Sequence, residues 1–192
     1  MKVLLVNGSP HRKGETYMAL SLVEQALKEK GIETEWFWIG NKPIRGCIDC
    51  CKCDKSHRCS FTDDVCNDLI EAMLKADGVI IGSPVYFAGP NGALCALLDR
   101  VFYAASTHGG LFKGKPAAAV ASLMRSGANN TIDRINKYFA FSEMPIVNSS
   151  YWNLLFSSQS QMDKDEKGRQ TMLTLGYNMA DLITQTCNSL PI

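Results

Sequence analysis

Five of the eight cysteines of this chain fall within fourteen residues, and no other stretch concentrates so many chemically active groups. This cysteine segment, residues 46–59, reads GCIDCCKCDKSHRC, and it includes Cys51 as an additional thiol. The other four follow a C-x2-C-x2-C-x5-C pattern: Cys47, Cys50, Cys53 and Cys59. Thiolates at this spacing can hold an iron–sulfur cluster or a zinc ion, or can form a redox switch.

The spacing leaves several interpretations of the cysteine segment open. A bacterial ferredoxin run ends in C-x3-C-P, but the last gap here is longer and no proline follows Cys59, which excludes a two-cluster ferredoxin. Zinc could be bound by these cysteines with or without His57, although zinc usually draws its ligands from two separated pairs. The thiols could also stay reduced and pack as small hydrophobic groups. One cluster, a zinc ion and bare thiols remain as alternatives.

Composition and charge indicate a globular protein of ordinary kind. The 192 residues carry a formal net charge of +1 with both signs interspersed, which argues against nucleic-acid binding. No apolar run approaches the roughly 18 residues of a transmembrane helix. The apolar run Val3–Val6 is shorter than the roughly 7 residues that a signal peptide needs. We therefore expect a single cytoplasmic domain over residues 1–192, where clustered cysteines indicate a metal or redox site rather than disulfides.

Patterns typical of strands and helices alternate along the whole chain. Continuous apolar runs are typical of strands that are covered on both faces. Strands are predicted at Lys2–Val6, Thr34–Ile39, Gly78–Gly82, Ala117–Ser122 and near Pro145–Asn148. Successive strand–helix units predict an α/β fold, a parallel sheet with helices on both faces, with the cysteine segment inserted after the second strand. Long irregular segments at 40–62 and 149–163 are expected to be functional.

The loop after the first strand has the composition of an anion-binding site. It reads NGSPHRKGET over residues 7–16 and precedes a helix, whose free amide groups and dipole favour an anion. Gly14 permits close approach of the backbone, Ser9 and Thr16 offer hydroxyl groups, and Arg12 adds charge. A P-loop needs Lys and then Ser/Thr after its second glycine, but Glu15 follows Gly14, and the glycine spacing does not fit a dinucleotide fingerprint. A phosphomonoester such as that of FMN fits this loop instead.

The loops after the third and fourth strands have the composition of a site for a planar ring. The first reads GSPVYFAGPNGALCALLDR, and its Tyr86 and Phe87 are expected to stand at the mouth of a pocket as an aromatic platform. The second reads SLMRSGANN, and its Arg125 could stabilise the anionic edge of a reduced ring. Cys66 and Cys95 lie within helical patterns and are expected in the core, while His108 and Cys187 are assigned no chemical role.

These loops, together with SYWN and KGRQTMLTLGYNMA, resemble the flavodoxin-like NAD(P)H-dependent FMN reductases. Within that family the chain is most similar to the branch that includes the iron–sulfur flavoproteins, and the resemblance extends over nearly the whole sequence. It implies a flavodoxin-like three-layer sandwich with a five-stranded parallel sheet in the order 2-1-3-4-5. It also implies one FMN-binding domain that assembles as a homodimer or homotetramer.

The resemblance further implies roles for individual residues. Ser9, Arg12 and Thr16 would contact the FMN phosphate. The isoalloxazine ring would be lined by Pro84, Val85, Tyr86 and Phe87. The spacing of Cys47, Cys50, Cys53 and Cys59 matches the motif with which iron–sulfur flavoproteins bind one [4Fe–4S] cluster. The chain departs from the family pattern at Glu15, where relatives commonly have asparagine.

The leading functional hypothesis is an oxidoreductase that passes electrons from NAD(P)H through bound FMN to a second acceptor, either a small molecule or a protein. No catalytic side chain is assigned, because the chemistry takes place on the flavin. An alternative is an iron–sulfur flavoprotein that carries single electrons between a ferredoxin-like partner, a [4Fe–4S] cluster and FMN. A thiol-based redox sensor is a third hypothesis, and fold alone does not choose between them.

Overall fold

The computed structural model describes residues 1–106, 110–156 and 164–188, the side chains of Cys187 and Asn188 excepted. His108, the Cys187 side chain and the end of the predicted irregular segment at 149–163 thus lie outside the described residues. None of the described helices is both long and apolar enough to cross a membrane.

Five parallel strands form a sheet in the order β2-β1-β3-β5-β6, and a short β4 pairs antiparallel with the end of β3. The strands are β1 (Lys2–Asn7), β2 (Glu33–Trp38), β3 (Gly78–Tyr86), β4 (Gly89–Pro90), β5 (Ala117–Leu123) and β6 (Leu154–Phe156). The helices are α1 (Glu15–Glu29), α2 (Cys66–Lys75), α3 (Gly92–Ser106), α4 (Ala128–Phe141) and α5 (Glu166–Asn188). The flavodoxin-like fold class and the parallel order are confirmed, with the two-residue β4 as an addition.

The helices divide between the two faces of the sheet because the central strands are apolar on both sides. On one face α1 and α5 pack against Val3, Leu5 and Ile80. On the other face α2, α3 and α4 pack against Leu4 and Ile81. All of these strand residues are fully buried, as the continuous apolar runs predict. The sheet is therefore a fixed support for the loops at its carboxyl edge.

The predicted strand at Pro145–Asn148 is wrong. This segment forms only an isolated bridge, between Ile146 and Ala117 at the start of β5. The fifth parallel strand is β6, which pairs with the end of β5. Between the two, the buried Asn153 donates its side-chain amide to the Ala119 carbonyl at 3.1 Å and accepts from Ser149, so a side chain interrupts the ladder. Local propensity does not report this interruption.

Candidate functional site

The loops after β1, β3 and β5 meet at the carboxyl edge of the sheet, where parallel α/β folds bind their ligands. The Gly8 amide donates to the Gly82 carbonyl at 2.8 Å, and a Cβ on Gly8 would lie 2.7 Å from that same oxygen. The Thr16 and Ser122 hydroxyls are 2.7 Å apart, although 106 residues separate them in sequence. The first loop is thus fixed to both of the others.

The first loop curls around a residue that the sequence analysis passes over, the buried Asn7. Its side-chain amide donates to the Arg12 carbonyl at 3.2 Å, and its side-chain oxygen accepts from the Ser9 amide at 3.0 Å. The Trp38 indole, at the end of β2, donates to the Ser9 carbonyl at 2.8 Å. A polar residue that ends an otherwise apolar strand is the sequence signal for such a role.

The residues predicted for the phosphate site surround the start of α1. Gly14 is the N-cap residue and provides no side-chain cap, so the first amide groups of the helix are free for an anion. Ser9 and Thr16 are buried beside it, and Arg12 is exposed, with its guanidinium 5.9 Å from the Trp38 ring centroid. This donor set fits a phosphomonoester.

The second loop presents its aromatic side chains to solvent. Pro84 and Val85 are half-buried, whereas Tyr86 is exposed and Phe87 is fully exposed. Phe87 and Ala88 have positive φ angles of 49° and 58°, a conformation that costs free energy in residues with a side chain. An exposed ring on a strained backbone fits a platform for a planar ligand better than a packing role.

The third loop lies against the second. Gly127 has a φ of +89°, and a Cβ there would come within 2.7 Å of the Ala88 Cα. Arg125, which is predicted to face the ring, is exposed in this loop between the buried Ser122 and the start of α4. The residues predicted for the ring therefore belong to two loops in direct contact, next to the loop predicted for the phosphate.

The cysteine segment lies between β2 and α2 and contains no strand or helix of its own. Its four predicted ligands are free thiols, and all of them line a single cavity of about 20 Å³: Cys47, Cys50, Cys53 and Cys59. Within the described residues, no three His, Cys, Asp or Glu side chains lie close enough together to hold a metal ion. The segment brings the donors to one cavity rather than to one point, and their chemistry fits a cluster or zinc.

Hydrogen bonds reach three of these sulfurs. The Asp49 amide donates to Cys47 Sγ at 3.4 Å, and the Ser60 hydroxyl lies 3.5 Å from Cys50 Sγ. The bond to Ser60 and a backbone bond from Lys52 hold the pKa of Cys50 below its ordinary value, whereas burial raises the pKa of Cys53. The segment therefore supplies part of the polar environment that a set of charged sulfurs needs.

The third bond comes from Arg100, which the sequence analysis does not single out. The Arg100 Nε donates to Cys59 Sγ at 3.2 Å. Its position between Leu97 and Ala104 on the apolar stripe of α3 is the signal that could have revealed it, because a charged residue on a buried face needs a buried partner.

The two helical cysteines differ in burial. Cys66 is fully buried as predicted, and burial is the main reason that its pKa is raised to about 12. Cys95 is only half-buried, and burial raises its pKa as well. Neither belongs to the cavity of the cysteine segment.

Comparison with known proteins agrees with this arrangement. Residues 1–159 match the family model described as NADPH-dependent FMN reductase. An iron–sulfur flavoprotein of Methanocaldococcus jannaschii is 30% identical over 195 residues, which cover 95% of this chain and 97% of that protein.

Solved structures show the same fold at low sequence identity. The structure of RosB with a bound riboflavin 5′-phosphate derivative has a TM-score of 0.79 at 14% identity, covering 98% of this chain and 81% of that one. An archaeal flavodoxin has a TM-score of 0.64 at 14% identity, covering 96% and 99%. With a family model that matches most of its length, this chain belongs to the NADPH-dependent FMN reductase family and is an FMN-dependent oxidoreductase.

Proposed function

We propose that this oxidoreductase is an iron–sulfur flavoprotein, in which the cysteine segment holds one [4Fe–4S] cluster and the carboxyl edge of the sheet holds FMN. The observation that carries the proposal is the single cavity lined by all four cysteines of the motif, with a buried guanidinium bonded to one of them. The relative from Methanocaldococcus jannaschii, similar over almost its whole length, supports the same assignment.

For the flavin, the proposal assigns each loop a task. The free amides at the start of α1, with Ser9, Gly14, Thr16 and Arg12, hold the phosphate. The ring lies against Pro84, Val85, Tyr86 and Phe87, with Arg125 at its anionic edge. When bound, FMN supplies the chemistry of exchanging either two electrons or one, which lets a hydride donor and a one-electron carrier share a site.

For the cluster, Cys47, Cys50, Cys53 and Cys59 are the proposed ligands, and Cys51 is not one. Cys51 lines the same cavity and is as exposed as Cys47, but it falls outside the C-x2-C-x2-C-x5-C spacing, and its sulfur lies 3.9 Å from the Tyr103 hydroxyl. A bound cluster supplies one-electron transfer at a potential that is set by charge and by hydrogen bonds to its sulfurs.

A protein electron carrier is the proposed partner, because a one-electron centre in the cysteine segment would lie near the surface. Lys42, Lys52 and Lys55 are exposed there, as are the carboxylates of Asp49 and Asp63 and the apolar side chain of Ile48. A ferredoxin-like protein, which carries single electrons, is the proposed kind of partner for this face of mixed charge. We further propose a cytoplasmic homodimer or homotetramer, which would cover exposed aromatic groups such as Phe87 and Trp152.

An NAD(P)H-dependent FMN reductase without a cluster is the second candidate. It is favoured by the absence, in the described part of the chain, of side chains placed around one metal position. In that case the same FMN loops pass electrons from NAD(P)H to a small-molecule acceptor, and the cysteine segment is a thiol loop or a zinc site.

The deciding experiment is purification without oxygen, followed by absorption spectroscopy and by iron, zinc and acid-labile sulfide assays. The proposal predicts about four iron atoms and four sulfides per chain. It also predicts a broad cluster absorbance beneath the flavin bands. Cys47→Ser and Cys53→Ser should lose the iron and keep FMN, and Cys51→Ser, the matched control, should keep both. A flavin spectrum from protein that contains no iron would contradict the proposal and support the second candidate. A colourless protein that takes up no added FMN would contradict both.

A further inference from the structure

Arg100 is a buried cation at the centre of α3, and all of its recorded bonds reach the region between β2 and α2. Its side chain is 1% exposed. Besides the bond to Cys59, one terminal nitrogen donates to the Asp64 carboxylate and to the Arg45 carbonyl, the latter at 3.2 Å. The other donates to the Phe61 carbonyl at 3.5 Å. One side chain thus joins the sheet-packed helix to the end of the cysteine segment.

The choice of a sulfur as acceptor is informative. A buried guanidinium costs several kcal/mol unless its donors are matched by good acceptors. A neutral thiol is a weak acceptor, whereas a thiolate or a metal-bound sulfur carries the negative charge that makes a strong, charge-assisted bond. The Asp64 carboxylate, whose side chain is 7% exposed, balances the charge of the guanidinium but accepts only from one terminal nitrogen, so Nε has the Cys59 sulfur as its acceptor.

Neighbouring contacts fix this sulfur in place. The Asn67 side chain accepts from the Cys59 amide at 2.8 Å and donates to the Cys59 carbonyl at 3.0 Å. The backbone of Cys59 is therefore held from α2, while its sulfur is held from α3. By contrast, Asp49, Cys51 and His57 elsewhere in the segment have positive φ angles of 52° to 53°. Cys59 is the ligand position that the fold holds most directly.

We infer that Arg100 is a positioning residue that fixes the Cys59 sulfur and places a permanent positive charge beside the cluster, with Asp64 holding the guanidinium in orientation. The inference rests on the proposed iron–sulfur function. Reduction adds one electron, and so one negative charge, to the cluster and its thiolates. A fixed charge 3.2 Å from a ligand sulfur stabilises that form and raises the reduction potential.

Two substitutions separate the charge from the hydrogen bond. Arg100→Gln removes the charge and keeps a hydrogen-bond donor. Arg100→Lys keeps the charge but loses the planar guanidinium with its several donors. We expect Arg100→Gln to make reduction of the cluster at least tenfold less favourable, with about 59 mV per tenfold for one electron. Arg100→Lys should fall between that variant and the wild type. The measurement is a dye-mediated redox titration of the reduced cluster by electron paramagnetic resonance, with the FMN potential followed optically.

Loss of a buried cation can also unfold a protein, so a charge-balanced variant is needed. Arg100→Met with Asp64→Leu replaces both members of the pair by apolar groups, a change that is often tolerated. It should retain the fold and FMN and lower the cluster potential by less than Arg100→Gln does, because the negative charge of Asp64 is removed together with the guanidinium, whose Nε lies nearer to the Cys59 sulfur. The control is Lys30→Gln, which breaks the exposed pair between the end of α1 and Asp181 of α5 on the opposite face of the sheet and should leave both potentials unchanged.

The outcomes distinguish a failure of the proposed iron–sulfur function from a failure of the inference about Arg100. Wild-type protein without iron would contradict the proposed function and this inference together. Iron in the wild type with an unchanged cluster potential in both Arg100→Gln and the charge-balanced variant would overturn the inference alone, and would make Arg100 a purely structural anchor. An equal shift of the cluster and FMN potentials would also overturn it, since the charge lies beside the cysteine segment.

Discussion

The flavin-binding edge and the cysteine segment reach their shapes by different means. At the flavin edge, three loops follow buried strands and are held by backbone contact, as at Gly8 and Gly82, and by a buried hydroxyl pair. The cysteine segment has no strand or helix of its own, and most of its side chains are exposed. Its attachment depends on a few polar side chains of α2 and α3, chiefly Asn67 and Arg100.

This difference indicates how each region relates to its ligand. Loops fixed by the packed sheet keep their shape without a cofactor, so the flavin edge is preorganised, and the cost of ordering is met during folding. A segment held by a few side chains leaves its remaining ordering to the ligand, as in many metal-dependent loops. The expected effects of substitution therefore differ sharply between the two regions.

The largest contrast is expected from one substitution made in both regions. In Gly8→Ala the new methyl would lie 2.6 Å from Leu94 Cδ2 and 2.7 Å from the Gly82 carbonyl oxygen, which would force the loops apart. We expect a loss of about 1–3 kcal/mol of stability and FMN binding weaker by about tenfold or more. Urea unfolding and fluorescence titration with FMN measure both. Gly46→Ala, where nothing lies within 4 Å, is the control and should change neither.

The next effect concerns the hydroxyl pair between the first and third loops. Thr16→Val keeps the shape of the side chain but leaves the buried Ser122 hydroxyl without this partner, which costs about 1–3 kcal/mol. Thr184→Val, on the exposed face of α5, should cost much less. A double-mutant cycle with Ser122→Ala in urea unfolding should give a favourable coupling energy. Additive effects would mean that the loops are not linked through this pair.

A smaller, pH-dependent effect is expected at the contact between α1 and β2. Helix α1 follows the phosphate loop, and β2 leads into the cysteine segment. The Glu24 carboxylate accepts from the Thr34 hydroxyl at 2.7 Å and the Trp36 indole at 2.9 Å, and it pairs with Lys28 at 2.9 Å. Burial alone would raise the pKa of Glu24, but the bonds from Lys28, Thr34 and Trp36 outweigh it and lower the pKa below 4.5.

A folded-state pKa below the unfolded value means stability that is present above pH 4.5 and lost as the pH falls through the folded pKa. Glu24→Gln should thus lower the free energy of unfolding by about 1 kcal/mol near neutral pH, with a shrinking difference in acid. Urea unfolding over a pH series measures this. Glu33→Gln, at the exposed start of β2, is the control and should change the free energy of unfolding much less near neutral pH.

The smallest effect is expected at Glu15, an exposed carboxylate in the first turn of α1. Its charge repels a phosphate at the same helix end, so Glu15→Gln should tighten FMN binding by about two- to fivefold, the equivalent of 0.3–1 kcal/mol. Riboflavin, which lacks the phosphate, is the control ligand and should bind both proteins equally. Equal tightening for riboflavin would place the effect on the ring rather than on the phosphate loop.

The sequence by itself was sufficient for four of the five parallel strands and for the position of the loops that follow them. Apolar runs such as Val3–Val6 indicate a strand that is buried on both faces, and the glycine and hydroxyl residues after it indicate a turn. Both patterns are formed by residues that are neighbours in sequence, so they can be read without the structure. The alternation of such units leads to a parallel sheet, and even the alanine-rich β5 was correctly placed as a strand by its position in that alternation.

Only the tertiary structure decided the features that join distant parts of the chain. The Thr16–Ser122 pair spans 106 residues and the Arg100–Cys59 bond spans 41, and no local pattern tells which residue is the partner in either case. The same holds for the last strand, which was predicted at Pro145–Asn148 and lies at Leu154–Phe156. The Asn153 side chain, bonded to β5, separates the two segments. Residue types and spacing reveal which groups could do chemistry, but which groups meet depends on how the core packs.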